Sequence, residues 1–170
     1  MAMFQKALDF ILMLEGGFSD NQNDRGGQTA FGISQKFLDR IGYPIPARHL
    51  TIDNAEEIYK EYFWENNLFR EILDQRIANK IFEICIHFDF NKAIQLVQQA
   101  CNQFLPDKDK LIVDGVFGSK TLEAINKITP PYKLVEAIRD KQIERYNLIV
   151  LRNPTQRVFL KGWLNRAMKA

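Results

Sequence analysis

One stretch decides how the chain is organised: Glu15-Gly-Gly-Phe-Ser-Asp-Asn-Gln-Asn-Asp-Arg-Gly-Gly-Gln-Thr-Ala-Phe-Gly32. It follows an apolar run that ends at Leu14, and it contains five of the nine glycines in the sequence. Glycine pairs let the backbone turn, or approach another group closely, where other residues cannot. A carboxylate at such a junction, here Glu15, is therefore either a capping group or a chemical one.

Glu15 stands where a carboxylate is electrostatically unfavourable. A helix over residues 3–15 is predicted by apolar residues at steps of three and four, namely Phe4, Ala7, Leu8, Ile11 and Leu14. Gly16 and Gly17 are expected to end this helix. Glu15 then occupies the last turn, beside the partial negative charge of the helix carboxyl end. Helix stability does not explain an acid in this position, which favours a chemical role.

The rest of the chain predicts further helices, separated by short breaks. Apolar residues at helical spacing occupy segments 33–41, 51–63, 76–88, 90–104, 120–128, 132–151 and 154–168. Thr51 and Ser119 are expected to cap the helices that follow them, and Gly42 is expected to close one. Residues 18–30 are too rich in Gly, Asn and Asp for a regular element. The expected fold is mainly α, with two helical lobes packed as one body.

Composition excludes several classes of site. A formal net charge of +2 is too small to indicate nucleic acid as a partner. Cys85 and Cys101 both lie in apolar helical runs, which predicts reduced, buried thiols instead of a disulfide framework. His49 and His87 are the two histidines, and neither belongs to a motif with the spacing of metal ligands. We expect no metal and no other cofactor.

The sequence also bears on where the protein acts. No apolar run approaches the ~18 residues that a membrane span needs, so stable membrane insertion is not expected. Lys6 and Asp9 interrupt the N-terminal apolar run, and no small-residue cleavage site follows it, so it is not a convincing signal peptide. We therefore expect synthesis in the cytoplasm. A role outside it would need another component to carry the protein there.

The stretch around Glu15 suits the hydrolysis of a glycosidic bond, which needs a proton donor and a group that stabilises an oxocarbenium-like centre. Apolar neighbours and the negative end of a helix dipole both raise the pKa of a carboxyl group, as a proton donor such as Glu15 requires. Asp24 with Thr29 suits the second task, because these side chains can hold a water molecule or stabilise positive charge. Asp20 is a competing carboxylate. By residue type alone, Asp20 and Asp24 also suit a turn.

Two motifs closely resemble the signature of glycoside hydrolase family 108: Glu15-Gly-Gly-Phe18 and Asp24-Arg-Gly-Gly-Gln-Thr-Ala-Phe-Gly-Ile33. That family comprises N-acetylmuramidases, including phage-type endolysins and proteins formerly described as secretion activators. Segments 55–64, 145–146 and 159–166 resemble it too, and segment 113–121 resembles its peptidoglycan-binding-like second half. The resemblance covers nearly the whole chain.

The resemblance implies a lysozyme-like helical bundle. Residues 1–93 would form the catalytic region and residues 94–170 a helical peptidoglycan-binding-like region. Glu15 is implied as the catalytic acid, and Asp24 and Thr29 are implied in supporting roles. The candidates for substrate binding are Asp20, Gly32, Tyr59, Trp64 and His87.

Several of these residues also have a purely structural interpretation. Tyr59 and Trp64 lie at helical spacing, so they suit the core as well as stacking on a sugar, and for Trp163 core packing is favoured. Asp114-Gly115 is interpreted as a turn before a helix in preference to a ligand site. Where the family usually has asparagine and glycine, this chain has His87 and Asp89, which predicts an altered groove wall.

The sequence therefore predicts a monomeric peptidoglycan hydrolase that cleaves the β-1,4 bond between N-acetylmuramic acid and N-acetylglucosamine. Its partner would be the glycan strand of the cell wall, and its biological role would be bacteriolytic, as a prophage endolysin or a secreted effector. Made in the bacterial cytoplasm, it would need a holin or a secretion machine to reach the wall. Two alternatives stay open. A lytic transglycosylase needs one carboxylate and yields an anhydro sugar, and a non-catalytic protein would bind the wall or assist secretion.

Overall fold

The computed structural model describes residues 1–14 and 28–169. Of the predicted site residues, Glu15, Asp20 and Asp24 lie outside the described residues. The helices are α1 (Phe4–Leu14), α2 (Gln35–Ile41), α3 (Ile52–Tyr59), α4 (Gln75–His87), α5 (Phe90–Cys101), α6 (Ser119–Lys127), α7 (Pro131–Arg152) and α8 (Arg157–Met168). Two short strands, β1 (Thr29–Ala30) and β2 (Ile33–Ser34), pair antiparallel. The prediction of a mainly α fold is confirmed.

The helices α4 and α7 lie at the centre of the fold. Helix α4 packs against α1, α5 and α7, and α7 packs in turn against α5 and α8. The residues of α4 from Lys80 to Cys85 are all buried, and they include two charged residues, Lys80 and Glu83. Helix α4 therefore connects the N-terminal helices to the C-terminal ones.

An aromatic cluster fills the core beside α4. Trp64 stacks on Phe69 with ring centroids 5.4 Å apart, and both rings meet the buried Phe82 edge-on. Phe4 contacts Trp64 from α1 at 5.6 Å. Aromatic pairs of this kind contribute about 0.5–1.5 kcal/mol each beyond the burial of their area. The cluster holds α1 and the segment after α3 against α4.

Several predicted helix ends are confirmed. The Thr51 hydroxyl accepts a hydrogen bond from the Asn54 amide at 3.2 Å, and Asn54 completes a capping box. Gly42 closes α2 in a left-handed conformation with φ +68°. Both follow from the backbone groups that a helix leaves unsatisfied at its ends.

The structure corrects the prediction for residues 28–33. Thr29–Ala30 is a strand, although residues 18–30 were expected to be irregular, and Ile33 lies in the partner strand instead of the following helix. Phe31 and Gly32 at the turn both have positive φ, 52° and 80°, as in the primed turns that favour two-residue hairpins. Two-residue strands are too short to show an alternating pattern, which is why the sequence did not reveal them.

Two predicted helix boundaries are also wrong. Ser119 is the first residue of α6, not its cap; Gly118 takes the extended cap position, and none of the described side chains caps the helix. Segment 51–63 is not one regular helix, because α3 ends at Tyr59 and continues as a π-helical segment, Lys60–Glu65. A π-helical turn shifts the apolar pattern by only a single residue, which is too small a change to recognise in the sequence.

Cys85 and Cys101 are free and buried, as predicted. Burial raises the pKa of the Cys85 thiol well above its usual range and that of Cys101 to about 12. Both thiols are therefore protonated near neutral pH. Across residues 1–14 and 28–169, no helix combines the length and the apolar character needed to cross a membrane.

Candidate functional site

A cavity of about 550 Å³ opens between the β1–β2 hairpin and the helices α4, α7 and α8, and we call it the hairpin cavity. Its volume is within the range of small-molecule binding sites. Its described lining residues are Thr29, Gly32, Ser34, Ile86, His87, Phe88, Arg145, Tyr146, Ile149, Gln156, Phe159, Trp163 and Arg166. The structure thus brings together three predicted site residues, Thr29, Gly32 and His87.

A second cavity of about 720 Å³ lies on the α2 side of the hairpin turn. It shares Gly32, Ser34, Ile86 and Phe88 with the hairpin cavity, so the two cavities adjoin at the turn. Asp89, the other residue that departs from the family pattern, lines this second cavity. A pair of adjoining cavities suits an extended ligand, such as a polymer strand.

The hairpin turn is held by Tyr59. The Tyr59 hydroxyl donates a hydrogen bond of 2.5 Å to the carbonyl oxygen of Phe31, a residue with the unfavourable φ of +52°. The Tyr59 side chain is only 1% exposed, although it reaches the wall of the second cavity. Tyr59, predicted as a substrate-binding residue, is therefore placed to position the turn that carries Gly32.

Trp64, also predicted as a substrate-binding residue, belongs to the core. Its side chain is 2% exposed and lies between Phe4, Phe69 and Phe82. It lines neither the hairpin cavity nor the second cavity. Of the two interpretations open for this residue, the structure supports packing, because an indole enclosed on its faces has none left for a sugar.

His87 is the last residue of α4 and forms part of an aromatic wall. Its ring lies 5.1 Å from Phe88, 5.4 Å from Tyr146 and 6.2 Å from Trp163. Burial lowers the pKa of His87 to about 4, and the nearby Arg166 guanidinium adds to this effect. At neutral pH, His87 is therefore an uncharged hydrogen-bonding group in the wall and not a proton donor.

A buried polar network lies one helical turn behind His87. Glu83 is fully buried and accepts a hydrogen bond of 2.5 Å from Arg166 Nε, and its second oxygen lies 3.3 Å from Lys80 Nζ. Gln142 donates to both Glu83 oxygens at 3.2 Å and accepts from Lys80 at 2.6 Å. Burial lowers the pKa of Lys80, against the effect of Glu83. The network ties α4 to α7 and α8.

Trp163 lies between the core and the hairpin cavity. It stacks on Tyr146 at 5.2 Å and on Phe159 at 5.8 Å, with interplanar angles of 24° and 23°. Core packing was the favoured interpretation of Trp163, and these contacts agree with it. The indole is nevertheless partly exposed and lines the cavity, so it also presents an aromatic surface there.

Sequence reasoning did not identify Arg145 and Phe159 as site residues, and for Trp163 it favoured core packing over stacking on a sugar. They are more than a hundred positions from Thr29 along the chain, and only the packing of α7 and α8 brings them to the same cavity. The resemblance of segments 145–146 and 159–166 to the family was the available signal.

The Asp114-Gly115 motif forms a turn, as interpreted. Gln98 fixes it, accepting from the Gly115 amide at 2.9 Å and donating to Asp114 at 2.8 Å. Gly115 has φ +80°, and a Cβ atom there would lie 2.6 Å from the Asn91 carbonyl oxygen. The motif therefore fixes the loop before α6 against α5.

Comparisons with known proteins agree with this architecture. Residues 8–88 match the family model described as Glycosyl hydrolase 108, and residues 92–168 match one described as Predicted Peptidoglycan domain. The structure of Brucella abortus SagA is similar, with a TM-score of 0.73 and 23% sequence identity, over 98% of this chain and 90% of that one. At that identity the likeness shows the fold alone. No curated protein matches the sequence.

Proposed function

Since the chain belongs to the glycosyl hydrolase 108 family through residues 8–88 and carries a predicted peptidoglycan domain over residues 92–168, we propose that it is an N-acetylmuramidase. It would cleave the β-1,4 bond between N-acetylmuramic acid and N-acetylglucosamine in peptidoglycan. The observation that carries the proposal is the hairpin cavity, to which both matched regions contribute. Thr29 and His87 come from the first region, and Arg145 and Trp163 come from the second.

In this proposal Glu15 is the general acid that protonates the leaving oxygen. It directly follows Leu14, the last residue of α1. Thr29, in the cavity wall, supports Asp24 in orienting a water molecule or stabilising the positive charge of the transition state. We favour inversion of the anomeric centre through that water. Asp20 and Gly32 would contact the sugar, as the family motif implies.

The aromatic wall gives the cavity a surface for sugar rings. Trp163 and Phe159 are stacked and both line the hairpin cavity. Aromatic side chains with a few convergent polar groups are typical of ligand sites. Here the polar groups include the neutral His87 and the Thr29 hydroxyl. The C-terminal region, residues 94–170, would thus complete the groove of the catalytic region, residues 1–93.

The decisive experiment compares the parent with Glu15→Gln on purified sacculi. We expect the parent to release new reducing ends and Glu15→Gln to lose at least about 100-fold in rate, since general acids typically contribute 10²–10⁴-fold. Glu136→Gln, an exposed change on α7, is the matched control and should keep parent activity. Equal activity of parent and Glu15→Gln would refute the assignment of the acid.

Mass spectrometry of the released fragments identifies the reaction. Hydrolysis leaves a reducing N-acetylmuramic acid, whereas a lytic transglycosylase leaves a 1,6-anhydro sugar. A parent protein that pellets with sacculi but releases no fragments would instead be a wall-binding or secretion-assisting protein. We expect reducing ends only.

We further propose that the protein acts as a monomer at the cell wall, as a bacteriolytic enzyme delivered by a holin or a secretion machine. The support is the substrate itself, since peptidoglycan lies outside the cytoplasmic membrane. Expression in the cytoplasm should therefore leave cells intact until a holin is co-expressed. Lysis that follows the holin only with the active parent, and not with Glu15→Gln, is the expected result.

A further inference from the structure

Among the residues that the structure describes, the hairpin cavity contains an arginine whose charge no acidic side chain balances. Its described ionisable lining residues are His87, Arg145, Tyr146 and Arg166. His87 is neutral near pH 7, since burial lowers its pKa to about 4. Arg166 pairs with Glu83 at 2.5 Å. Arg145, by contrast, has no hydrogen bond or ion pair with any residue in the described ranges 1–14 and 28–169.

The sequence of α7 explains why Arg145 has no acidic partner on its own helix. The helical neighbours that could reach it lie three and four positions away, at Lys141, Gln142, Leu148 and Ile149, and none of them is acidic. The adjacent acid, Glu144, pairs with Lys141 at 2.7 Å. Among the described residues, the guanidinium is thus left without a competing partner at the cavity wall, which the partly exposed Trp163 also lines.

We propose that Arg145 is a specificity-determining residue that binds a carboxylate of the peptidoglycan strand. The inference rests on the proposed function and deepens it. A guanidinium presents a planar fork of donors that fits a carboxylate with two parallel hydrogen bonds. Peptidoglycan offers carboxylates from two sources, the lactyl ether of a peptide-free N-acetylmuramic acid and the stem peptide. Arg145 distinguishes such a strand from a neutral glycan.

The test measures binding of three soluble tetrasaccharides to the full chain by titration calorimetry. The first is a neutral oligomer of N-acetylglucosamine, the second alternates N-acetylglucosamine with peptide-free N-acetylmuramic acid, and the third carries stem peptides. The variants are Arg145→Gln and Arg145→Lys. Arg152→Gln is the matched control, because Arg152 lies on the same helix, is exposed and does not line the cavity. All proteins carry Glu15→Gln so that no ligand is consumed.

We expect Arg145→Gln to weaken binding of the acidic ligands roughly tenfold or more, as for the loss of a charged hydrogen-bonded pair, and to leave the neutral ligand unchanged. Arg145→Lys should recover part of the loss. A loss with the peptide-free acidic ligand alone identifies the lactyl carboxylate, because in the peptide-bearing ligand that carboxyl is an amide. A loss with the peptide-bearing ligand alone identifies a carboxylate of the stem peptide, and a loss with both shows that Arg145 binds either carboxylate. Equal weakening with all three ligands, or none, overturns the proposal.

Failure of the proposed function has a different signature. If the parent releases no fragments from sacculi yet binds the acidic ligands through Arg145, the recognition site stands and the muramidase proposal falls. If the parent cleaves sacculi but Arg145→Gln discriminates as the parent does, the muramidase proposal stands and the recognition site falls.

Discussion

His87 ends α4 with its imidazole packed against Phe88, Tyr146 and Trp163, in surroundings that disfavour a charge. The folded protein binds a proton here with a pKa of about 4, compared with an ordinary value of 6.5. Between these values the unfolded chain binds more protons than the folded one. Folding stability therefore rises with pH through this window and falls as the medium is acidified.

This linkage predicts that His87→Asn reduces the acid sensitivity of the protein. Between about pH 7.5 and about pH 4.5, the Tm of the parent should fall roughly 2–8 °C further than that of His87→Asn. The exposed His49 is the matched control, and His49→Asn should keep the parent's slope. Thermal melts across this range by circular dichroism provide the measurement, and identical slopes for all three proteins would contradict the lowered pKa.

At the scale of elements, the buried network joins three helices through one carboxylate. Glu83 of α4 is fully buried and faces Lys80, Arg166 of α8 and Gln142 of α7. Removing one member of a buried pair leaves an uncompensated charge, which is far more costly than losing a surface pair. The orientation of α8, and with it Trp163, depends on this carboxylate.

We therefore expect Glu83→Gln to lower the free energy of unfolding by about 3 kcal/mol or more, or roughly 6–12 °C in Tm. The comparison is Glu123→Gln, which removes a pair with Lys127 whose side chains are 67% and 63% exposed. Because solvent screens that pair, its loss should leave Tm nearly unchanged. Similar Tm values for the two variants in scanning calorimetry would show that the network does not stabilise the fold.

How far the elements could be predicted depends on their length. Helices such as α4 and α7 carry several turns of apolar periodicity, so their extents follow from the sequence alone. The β1–β2 hairpin could not be predicted, because its strands are two residues each and its turn relies on a positive φ at Phe31, an unusual residue for it. The residues of the candidate site likewise differ in how far the sequence could predict them. Thr29 and Gly32 belong to a local motif, whereas Arg145 and Trp163 reach the cavity only through long-range packing.

At the scale of the whole molecule, the two regions matched by family models share one interior. Lys80 and Glu83 belong to residues 8–88, while Gln142 and Arg166 belong to residues 92–168. Helix α4 packs directly against both α5 and α7. The C-terminal region thus shares the core of the N-terminal region and forms one wall of the hairpin cavity.

A shared interior predicts a single cooperative unfolding transition. The ratio of calorimetric to van't Hoff enthalpy should be about 1, and far-UV circular dichroism and tryptophan fluorescence should melt together. Tryptophan fluorescence reports on both regions, because Trp64 lies in the first matched region and Trp163 in the second. Two separate transitions would mean that the regions unfold independently.

The two buried thiols have a practical consequence for this shared body. Cys85 on α4 and Cys101 on α5 are enclosed and protonated, so an alkylating reagent in solution meets neither thiolate while the fold is closed. Each labelling event then records one opening of the centre of the molecule. The labelling rates of these two natural cysteines therefore measure how often α4 and α5 open, without an engineered probe.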